Sequence, residues 1–104
     1  MARKIETLMN QAITQSKDWQ QANTSVYNEN EVSIVRLHGN KIAEIGDTWL
    51  KLYDGGWRTT TTKSRLNAIL SAHGNGEYIY QKNHQWFISY DGKEEEFESG
   101  ILLN

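Results

Sequence analysis

Apolar residues near the start of the chain recur at the spacing of a helix. They occupy positions i, i+3, i+4, i+7 and i+8, and they are Ile5, Leu8, Met9, Ala12 and Ile13. This spacing places all five on one face of an α-helix, with polar side chains around the rest of its surface. The pattern predicts an amphipathic helix over residues 3–20, in which Trp19 extends the apolar face or covers the helix end.

After this helix the pattern changes to short apolar segments separated by turn-forming residues. The predicted strands cover residues 25–28, 32–38, 41–45 and 48–53. Between two of them, His38-Gly39-Asn40 is a predicted tight turn, because glycine and asparagine tolerate positive φ angles. Strands this short, joined by such turns, are typical of an antiparallel meander.

A second helix is predicted over residues 60–73. Its apolar face again has helical spacing and consists of Leu66, Ile69, Leu70 and His73. One of Thr60, Thr61 and Thr62 is expected to cap the first turn, since a hydroxyl there accepts a hydrogen bond from a free backbone N–H. Gly74 follows the last helical position, where glycine is common.

The remaining chain has the pattern of a hairpin and an edge strand. Residues 77–82 and 85–90 are predicted to pair through a turn at Asn83-His84, and residues 94–98 to form the edge strand. The apolar residues 101–103 are expected to pack. Together these elements predict a single α+β domain over residues 1–104. In it, an antiparallel sheet of about five to seven strands packs against the central helix at 60–73, and the N-terminal helix covers a face or an edge.

Composition excludes several classes of protein. The 104 residues contain no cysteine, which removes disulfide scaffolds, cysteine zinc sites, iron–sulfur clusters and thiol nucleophiles. It also favours a reducing compartment, the cytoplasm. The longest apolar runs have three residues, whereas a bilayer crossing needs about 20. We therefore expect neither a membrane span nor a secretory signal peptide.

Charge is spread unevenly along the chain, although the formal net charge is only −2. Residues 36–82 hold seven basic and four acidic residues, a net charge of +3. Residues 91–98 hold five acidic residues and one lysine, a net charge of −4. The basic middle suits an anionic partner, but the imbalance is too small to require nucleic acid.

Signals for catalysis or cofactor binding are weak. His38, His73 and His84 have no metal-ligand spacing, and no serine lies in a nucleophile elbow. Glu94 and Glu96 share a face of a strand, where a solvated edge is favoured over an acid/base pair. We expect no metal and no cofactor, and the sequence leans away from an enzyme.

The segment with the most distinctive chemistry is residues 55–67. It places glycines, four threonines and three cations around the start of the second helix, where free N–H groups favour anions. It is not a Walker A loop, because Thr62 replaces the glycine that precedes the lysine. The alternative is a capped helix whose cations face water or pair with carboxylates.

The predicted binding residues join this segment to the turn at residue 39. They are Trp57, Arg58, Thr60, Thr61, Lys63, Arg65, His38 and Asn40. Aromatic residues on the strands offer further contacts. Trp86 and Tyr78 are expected in the core, whereas Tyr53, Tyr80 and Trp49 are expected to be exposed.

Two segments resemble a family of small proteins encoded by tailed bacteriophages, including cyanophages. They read LHGNKIA at residues 37–43 and GWRTTTTKSRLN at residues 56–67, and shorter matches follow at Gln81-Lys82 and Trp86-Phe87. The resemblance covers about residues 36–90. It implies a viral accessory protein acting in the bacterial host cytoplasm, and it brings no catalytic residues with it.

Three functions remain open at this point. The first is a non-enzymatic binding module for a host or phage macromolecule, most often a protein, in which Arg58, Lys63 and Arg65 supply charge and Trp57 supplies a flat contact. The second is a nucleic-acid-binding protein that uses the basic helix start and exposed aromatics. The third is a small enzyme acting on a nucleotide, which requires a deep pocket lined by His38, Arg58 and His73. A homo-oligomer formed through residues 94–98 and the first helix is also open.

Overall fold

The structure, a computed structural model, describes residues 3–104 and has two helices and nine strands there. The helices are α1 (Lys4–Thr14) and α2 (Thr60–His73). The strands between them are β1 (Trp19–Gln21), β2 (Thr24–Glu29), β3 (Val32–Leu37), β4 (Asn40–Ile45) and β5 (Leu50–Leu52). The strands after α2 are β6 (Tyr78–Lys82), β7 (Gln85–Tyr90), β8 (Lys93–Glu96) and β9 (Ile101–Leu103). The predicted α+β class is confirmed.

The first helix is shorter than the predicted range of 3–20. It ends at Thr14 because Ser16 adopts a left-handed conformation with φ 52°. The Ser16 and Lys17 N–H groups then donate to the carbonyls of Ile13 and Ala12, which is a Schellman ending. Trp19 lies in β1 and pairs with Val26 instead of extending the helix.

The strands form two antiparallel sheets instead of the single predicted one. The first has six strands in the order β1-β2-β3-β4-β5-β9, so the predicted meander is present and the C-terminal residues return beside β5. The second has three strands in the order β6-β7-β8. The predicted packing of residues 101–103 is confirmed for Leu103, which is buried, whereas Leu102 is exposed.

Four of the two-residue hairpin turns have positive φ at both central positions. They are Asn30-Glu31, His38-Gly39, Asn83-His84 and Asp91-Gly92. Such turns match the right-handed twist of paired strands. They fix the register of β2 to β4 and of β6 to β8 locally, and the turn at Gly39 presents His38 and Asn40 at the sheet end.

One hydrophobic core lies between the sheets and the helices. The helices cover one face of the six-stranded sheet, and the three-stranded sheet contributes Ile79, Trp86 and Ile88. The prediction of a buried Trp86 is confirmed, and its ring lies 5.7 Å from that of Phe97. The prediction of a buried Tyr78 is wrong, since this side chain lies on the outer face of β6 and is exposed.

Neither helix in residues 3–104 has the length and apolar content needed to cross a membrane.

Candidate functional site

The turn between β3 and β4 and the start of α2 line one groove, with a volume of about 370 Å³. Its lining residues are Leu37, His38, Asn40, Ile42, Asp54, Gly55, Trp57, Thr59, Thr61 and Thr62. We call it the Trp57 groove. The structure thus brings together His38, Asn40, Trp57 and Thr61, four of the residues that the sequence singled out. Leu37 and Ile42, which are buried, supply apolar surface between polar neighbours.

The loop after β5 carries Trp57 to this position. Gly55 and Gly56 have φ angles of 68° and 88°, which favour glycine, and the Gly56 N–H donates to Asp54 Oδ1 at 2.8 Å. A Cβ on Gly55 would lie 3.1 Å from Ile42 Cγ2 and 3.4 Å from Asn40 Cβ. The missing side chain therefore lets the loop pack closely against β4 and its turn.

Thr59, and not one of the three threonines after it, caps α2. Its Oγ1 accepts from the Thr62 N–H at 3.1 Å and lies 2.9 Å from Thr62 Oγ1. The prediction of a cap at Thr60, Thr61 or Thr62 is wrong by one residue, because Thr59 is the last residue with extended backbone before the helix. Thr62 is buried by this contact, whereas Thr60 is exposed.

Trp57 is the most exposed large hydrophobic side chain among residues 3–104, with 70 % of its surface open to solvent. It lies between the glycine turn and the helix cap, so its position is set by backbone on both sides. An indole held in this way beside apolar and hydroxyl groups offers a flat contact area.

Arg65, predicted as an outward-facing cation, is instead buried with 3 % exposure. It lies one turn before Ile69 on the core face of α2. Its Nη1 donates to Glu6 Oε2 at 2.8 Å, and its Nε donates to Thr24 Oγ1 at 3.0 Å. Its Nη2 donates to Asn23 Oδ1 at 3.3 Å. The guanidinium therefore joins α1, α2 and β2 and is not available to a ligand.

The carboxylate of Glu6 completes this cluster. Its Oε2 also accepts from the Ser64 hydroxyl at 2.6 Å, and its Oε1 accepts from the Arg3 N–H at 3.3 Å. Burial alone would raise the pKa of Glu6, but these hydrogen bonds and the charge of Arg65 outweigh it and hold the pKa below its usual value. We call Glu6, Asn23, Thr24, Ser64 and Arg65 the Arg65 junction.

Arg58 is only partly free. Its Nε lies 3.2 Å from Asp54 Oδ2, and its Nη2 donates to the Phe97 carbonyl at 3.0 Å. The guanidinium also lies over the rings of Trp86 and Phe97, 5.7 and 5.5 Å from their centres. Burial tends to raise the pKa of Asp54, but the Gly56 N–H and Arg58 lower it overall, so Asp54 is a carboxylate at neutral pH.

Lys63 forms no salt bridge with a carboxylate among residues 3–104. Its Nζ donates to Gln81 Oε1 at 3.2 Å, on the neighbouring strand β6. Of the three predicted cations, one is buried, one is paired, and Lys63 lies outside the groove lining. The groove is therefore close to neutral, and its chemistry is that of an indole, an imidazole, an amide and hydroxyls.

His38, Arg58 and His73 do not form the deep pocket that an enzyme acting on a nucleotide would require. His73 lies at the C-terminal end of α2 and lines a different cavity of about 350 Å³ with Asp47, Trp49 and Glu77. Burial lowers the pKa of His73, so its ring is neutral at pH 7. His38 and Arg58 lie at the opposite end of a 14-residue helix, about 20 Å away at the α-helical rise. The three residues do not converge on one pocket.

The predicted binding residues did not include six residues that line the groove: Leu37, Ile42, Asp54, Gly55, Thr59 and Thr62. The alternation of β3 places Leu37 at an inward position, which was a usable signal, whereas Ile42 is buried next to Ala43 at the register shift of β4, where the strand does not alternate. Asp54 had no signal beyond its place in a turn. Among residues 3–104, no three histidine, aspartate or glutamate side chains come close enough to hold a metal ion.

Comparison with known proteins gives one match. Residues 2–104 match the family model described as Kyanoviridae Gp96 protein. No curated protein matches the chain, and no solved structure matches it. The match extends well beyond residues 36–90, so it includes the first helix and the acidic C-terminal segment. It confirms the resemblance to tailed-phage and cyanophage proteins.

Proposed function

The chain belongs to the Kyanoviridae Gp96 protein family, a phage protein family, and we propose that it is an accessory protein that binds a host or phage protein through the Trp57 groove. In this proposal it acts without catalysis, in the cytoplasm of the infected cell. Trp57 is the main contact, and the polar side chains of His38, Asn40 and Thr61 orient the partner.

The observation that carries this proposal is the exposure of Trp57 above a partly apolar groove. Tryptophan is enriched among the residues that contribute most to protein–protein binding, and these residues are typically surrounded by less energetic contacts that exclude water. Leu37 and Ile42 supply an apolar floor, and the hydroxyls and His38 supply a polar rim. This distribution matches the apolar centre and polar edge of protein interfaces.

Charge favours a protein partner over nucleic acid at this surface. Binding to phosphates depends on several free cations and weakens as salt rises. At the start of α2, Arg65 is buried against Glu6 and Arg58 is paired with Asp54. Lys63 is the third cation at this position, and a single cation attracts phosphate groups only weakly.

The test is a pull-down from infected host lysate with the wild-type chain and a Trp57→Ala variant, each with and without nuclease. Tyr27→Ala is the matched control, since Tyr27 is a 48 % exposed aromatic on β2, away from the groove. We expect a host or phage protein that the wild type and the Tyr27 control retain and that Trp57→Ala loses. The purified partner should then bind Trp57→Ala at least about tenfold more weakly.

Two results would contradict the proposal. One is a partner retained equally by Trp57→Ala, which places the contact elsewhere. The other is capture that disappears with nuclease and returns as salt is lowered, which indicates nucleic acid. A Lys63→Ala variant separates nucleic-acid capture from binding in the groove: Lys63 lies outside the groove lining, so its loss should weaken phosphate binding and leave protein binding in the groove unchanged.

A further inference from the structure

The three-stranded sheet has one packed face and one bare face. Ile79, Trp86 and Ile88 point into the core and are buried. The opposite face carries Tyr78, Tyr80 and Phe87, none of which the core contains. On this outer face Tyr78 has 52 % of its surface exposed, and Tyr80 and Phe87 are partly exposed.

These three rings form one continuous aromatic surface, which we call the aromatic ladder. The ring centres of Tyr78 and Tyr80 are 5.8 Å apart, and those of Tyr80 and Phe87 are 5.6 Å apart and stacked. Exposed apolar patches of this kind mark interaction sites on proteins. Aromatic faces also attract the ammonium and guanidinium groups of lysine and arginine.

Carboxylates of β8 lie on the same face as the aromatic ladder. Glu96 pairs in register with Phe87, and Glu94 pairs with Ser89, which itself is opposite Tyr78. Cross-strand partners share a face of the sheet. The Tyr80 hydroxyl donates to Glu94, and this bond raises the pKa of Tyr80 to about 12. Carboxylates beside aromatic rings give this face two kinds of group that bind cations.

The other side of β8 is also acidic and aromatic. A cleft of about 400 Å³ there is lined by Tyr90, Glu95, Glu96, Glu98, Ser99, Gly100 and Ile101. Glu95 alternates with Glu94 and Glu96 along the strand, so it points to this second side. Cationic side chains on either side of an added strand would therefore meet carboxylates.

The two edges of this sheet differ. On the β6 edge, the Asn67 side chain occupies the backbone groups of Ile79, donating to its carbonyl at 2.8 Å and accepting from its N–H at 2.7 Å. On the β8 edge, no backbone partner is present within residues 3–104 besides β7. The β8 edge thus leaves hydrogen-bonding groups free beside the acidic surface.

From these observations we propose that β8 and the aromatic ladder bind an extended, lysine- or arginine-rich segment of a partner protein, which adds to the sheet as a fourth strand. Backbone hydrogen bonds to the β8 edge supply affinity, and carboxylates and rings on both sides select cationic side chains. The surface shares no residue with the Trp57 groove, so this proposal is independent of the function proposed above.

Charge also decides against other occupants of this edge. A second copy pairing through β8 would bring its Glu94, Glu95 and Glu96 beside the same residues of the first, and like charges opposite each other destabilise paired strands. The phosphates of nucleic acid would meet the same repulsion. A cationic strand is the one that gains from the net charge of −4 on residues 91–98.

The test uses the full chain and a fluorescent decapeptide of alternating lysine and threonine, followed by anisotropy at low and at physiological salt. The principal variant is Glu94→Gln with Glu96→Gln, and the matched control is Glu29→Gln with Glu31→Gln, two exposed acidic residues of the β2–β3 hairpin. We expect the principal variant to bind about tenfold more weakly and the control to bind like the wild type. Tyr78→Ala, at an exposed position, should also weaken binding.

A second peptide tests strand addition separately from charge. In it every backbone nitrogen is methylated, which keeps the charge but removes the donors on both edges of the strand. We expect it to bind at least about tenfold more weakly than the lysine–threonine peptide if the segment adds to β8. Equal binding of both peptides would overturn the strand model.

Three other outcomes would overturn the proposal. They are the absence of peptide binding at low salt, equal weakening by the Glu29/Glu31 control, and a wild-type dimer in light scattering that the Glu94/Glu96 variant converts to monomer. The second outcome would indicate general charge attraction, and the third would assign the surface to a second copy. Circular dichroism of each variant confirms that it is folded before its binding is compared.

Discussion

The Arg65 junction and the Trp57 groove each include residues of the segment 55–67, yet they use polar groups in opposite ways. In the junction, every donor nitrogen of Arg65 finds an acceptor, and the charges of Arg65 and Glu6 cancel away from water. In the groove, the indole of Trp57 is left in solvent beside hydroxyls and an imidazole. The junction holds two helices on the sheet, and the groove is the surface that this arrangement exposes.

This difference shows how helix periodicity divides a basic segment. Thr62, Arg65, Leu66 and Ile69 lie on one side of α2 and are all buried. A charged residue on that side requires a partner of opposite charge, because an isolated buried charge is very costly. Glu6 likewise lies on the core face of α1, about one turn before the buried Met9. Two opposite charges on two apolar faces were a signal that they pair.

The largest expected effect follows from breaking this pair. Arg65→Ala should lower the free energy of unfolding by about 3–5 kcal/mol, since it leaves the Glu6 carboxylate buried without its cation. Urea denaturation monitored by tryptophan fluorescence measures this. Lys63→Ala, which removes another α2 cation whose Nζ makes an exposed hydrogen bond to Gln81, is the control and should cost about 0.5 kcal/mol or less. Equal losses for both variants would mean that the junction is no more important than a surface hydrogen bond.

A double variant makes this comparison sharper. In Glu6→Leu with Arg65→Met both charges are gone, and replacement of a buried pair by apolar residues is often neutral or stabilising. We expect the double variant to recover most of the stability that Arg65→Ala loses. If it remains as unstable as the single variant, the hydrogen bonds to Thr24 and Asn23 matter more than the charge.

A smaller effect is expected at the edge of β6. Asn67→Ala removes both hydrogen bonds to the Ile79 backbone and leaves its N–H and carbonyl without these partners. The expected cost is about 1–3 kcal/mol. Asn83→Ala changes an exposed turn asparagine with φ 53°, so it reports loss of turn propensity alone. Amide hydrogen exchange should show faster exchange of Ile79 in the Asn67 variant only.

Acidification should weaken the junction as well. The pKa of Glu6 in the folded chain is below its usual 4.5, so the unfolded chain takes up protons first as pH falls. The contribution of Glu6 to the free energy of unfolding is therefore complete above about pH 4.5 and is lost as the pH falls through the folded-state pKa. Glu44 and Asp54 have lowered pKa values and act in the same direction. Between pH 7 and pH 3, the free energy of unfolding should decrease less for Glu6→Gln than for the exposed control Glu29→Gln.

Local rules predicted much of the fold. The boundaries of α2 and the turns at Gly39, His84 and Gly92 follow from helical spacing and from residues that accept positive φ. The position of Trp19 in a strand does not follow from these rules. Strand β1 has three residues without alternation, and it forms only because it pairs with β2. The division into two sheets is also non-local, since it depends on residues 101–103 returning to β5.

The candidate site was predictable in position but not in charge. Turn and capping chemistry indicated that residues 38–40 and 57–61 carry unusual side chains, and the structure places both segments in one groove. Their cations were expected to face outward. That expectation failed because Glu6 lies 59 positions from Arg65 in the chain, and only the packing of α1 on α2 brings them together.

The smallest expected effect on stability belongs to the groove itself. Trp57→Ala should change the free energy of unfolding by no more than about 0.5 kcal/mol, because the indole is largely solvated and has little core contact to lose. The Tyr27→Ala control, also exposed, should behave alike in urea denaturation, so that only partner binding distinguishes the two variants. A loss of 2 kcal/mol or more for Trp57→Ala would show that the indole stabilises the fold, as Arg65 does, and the contrast between junction and groove would then fail.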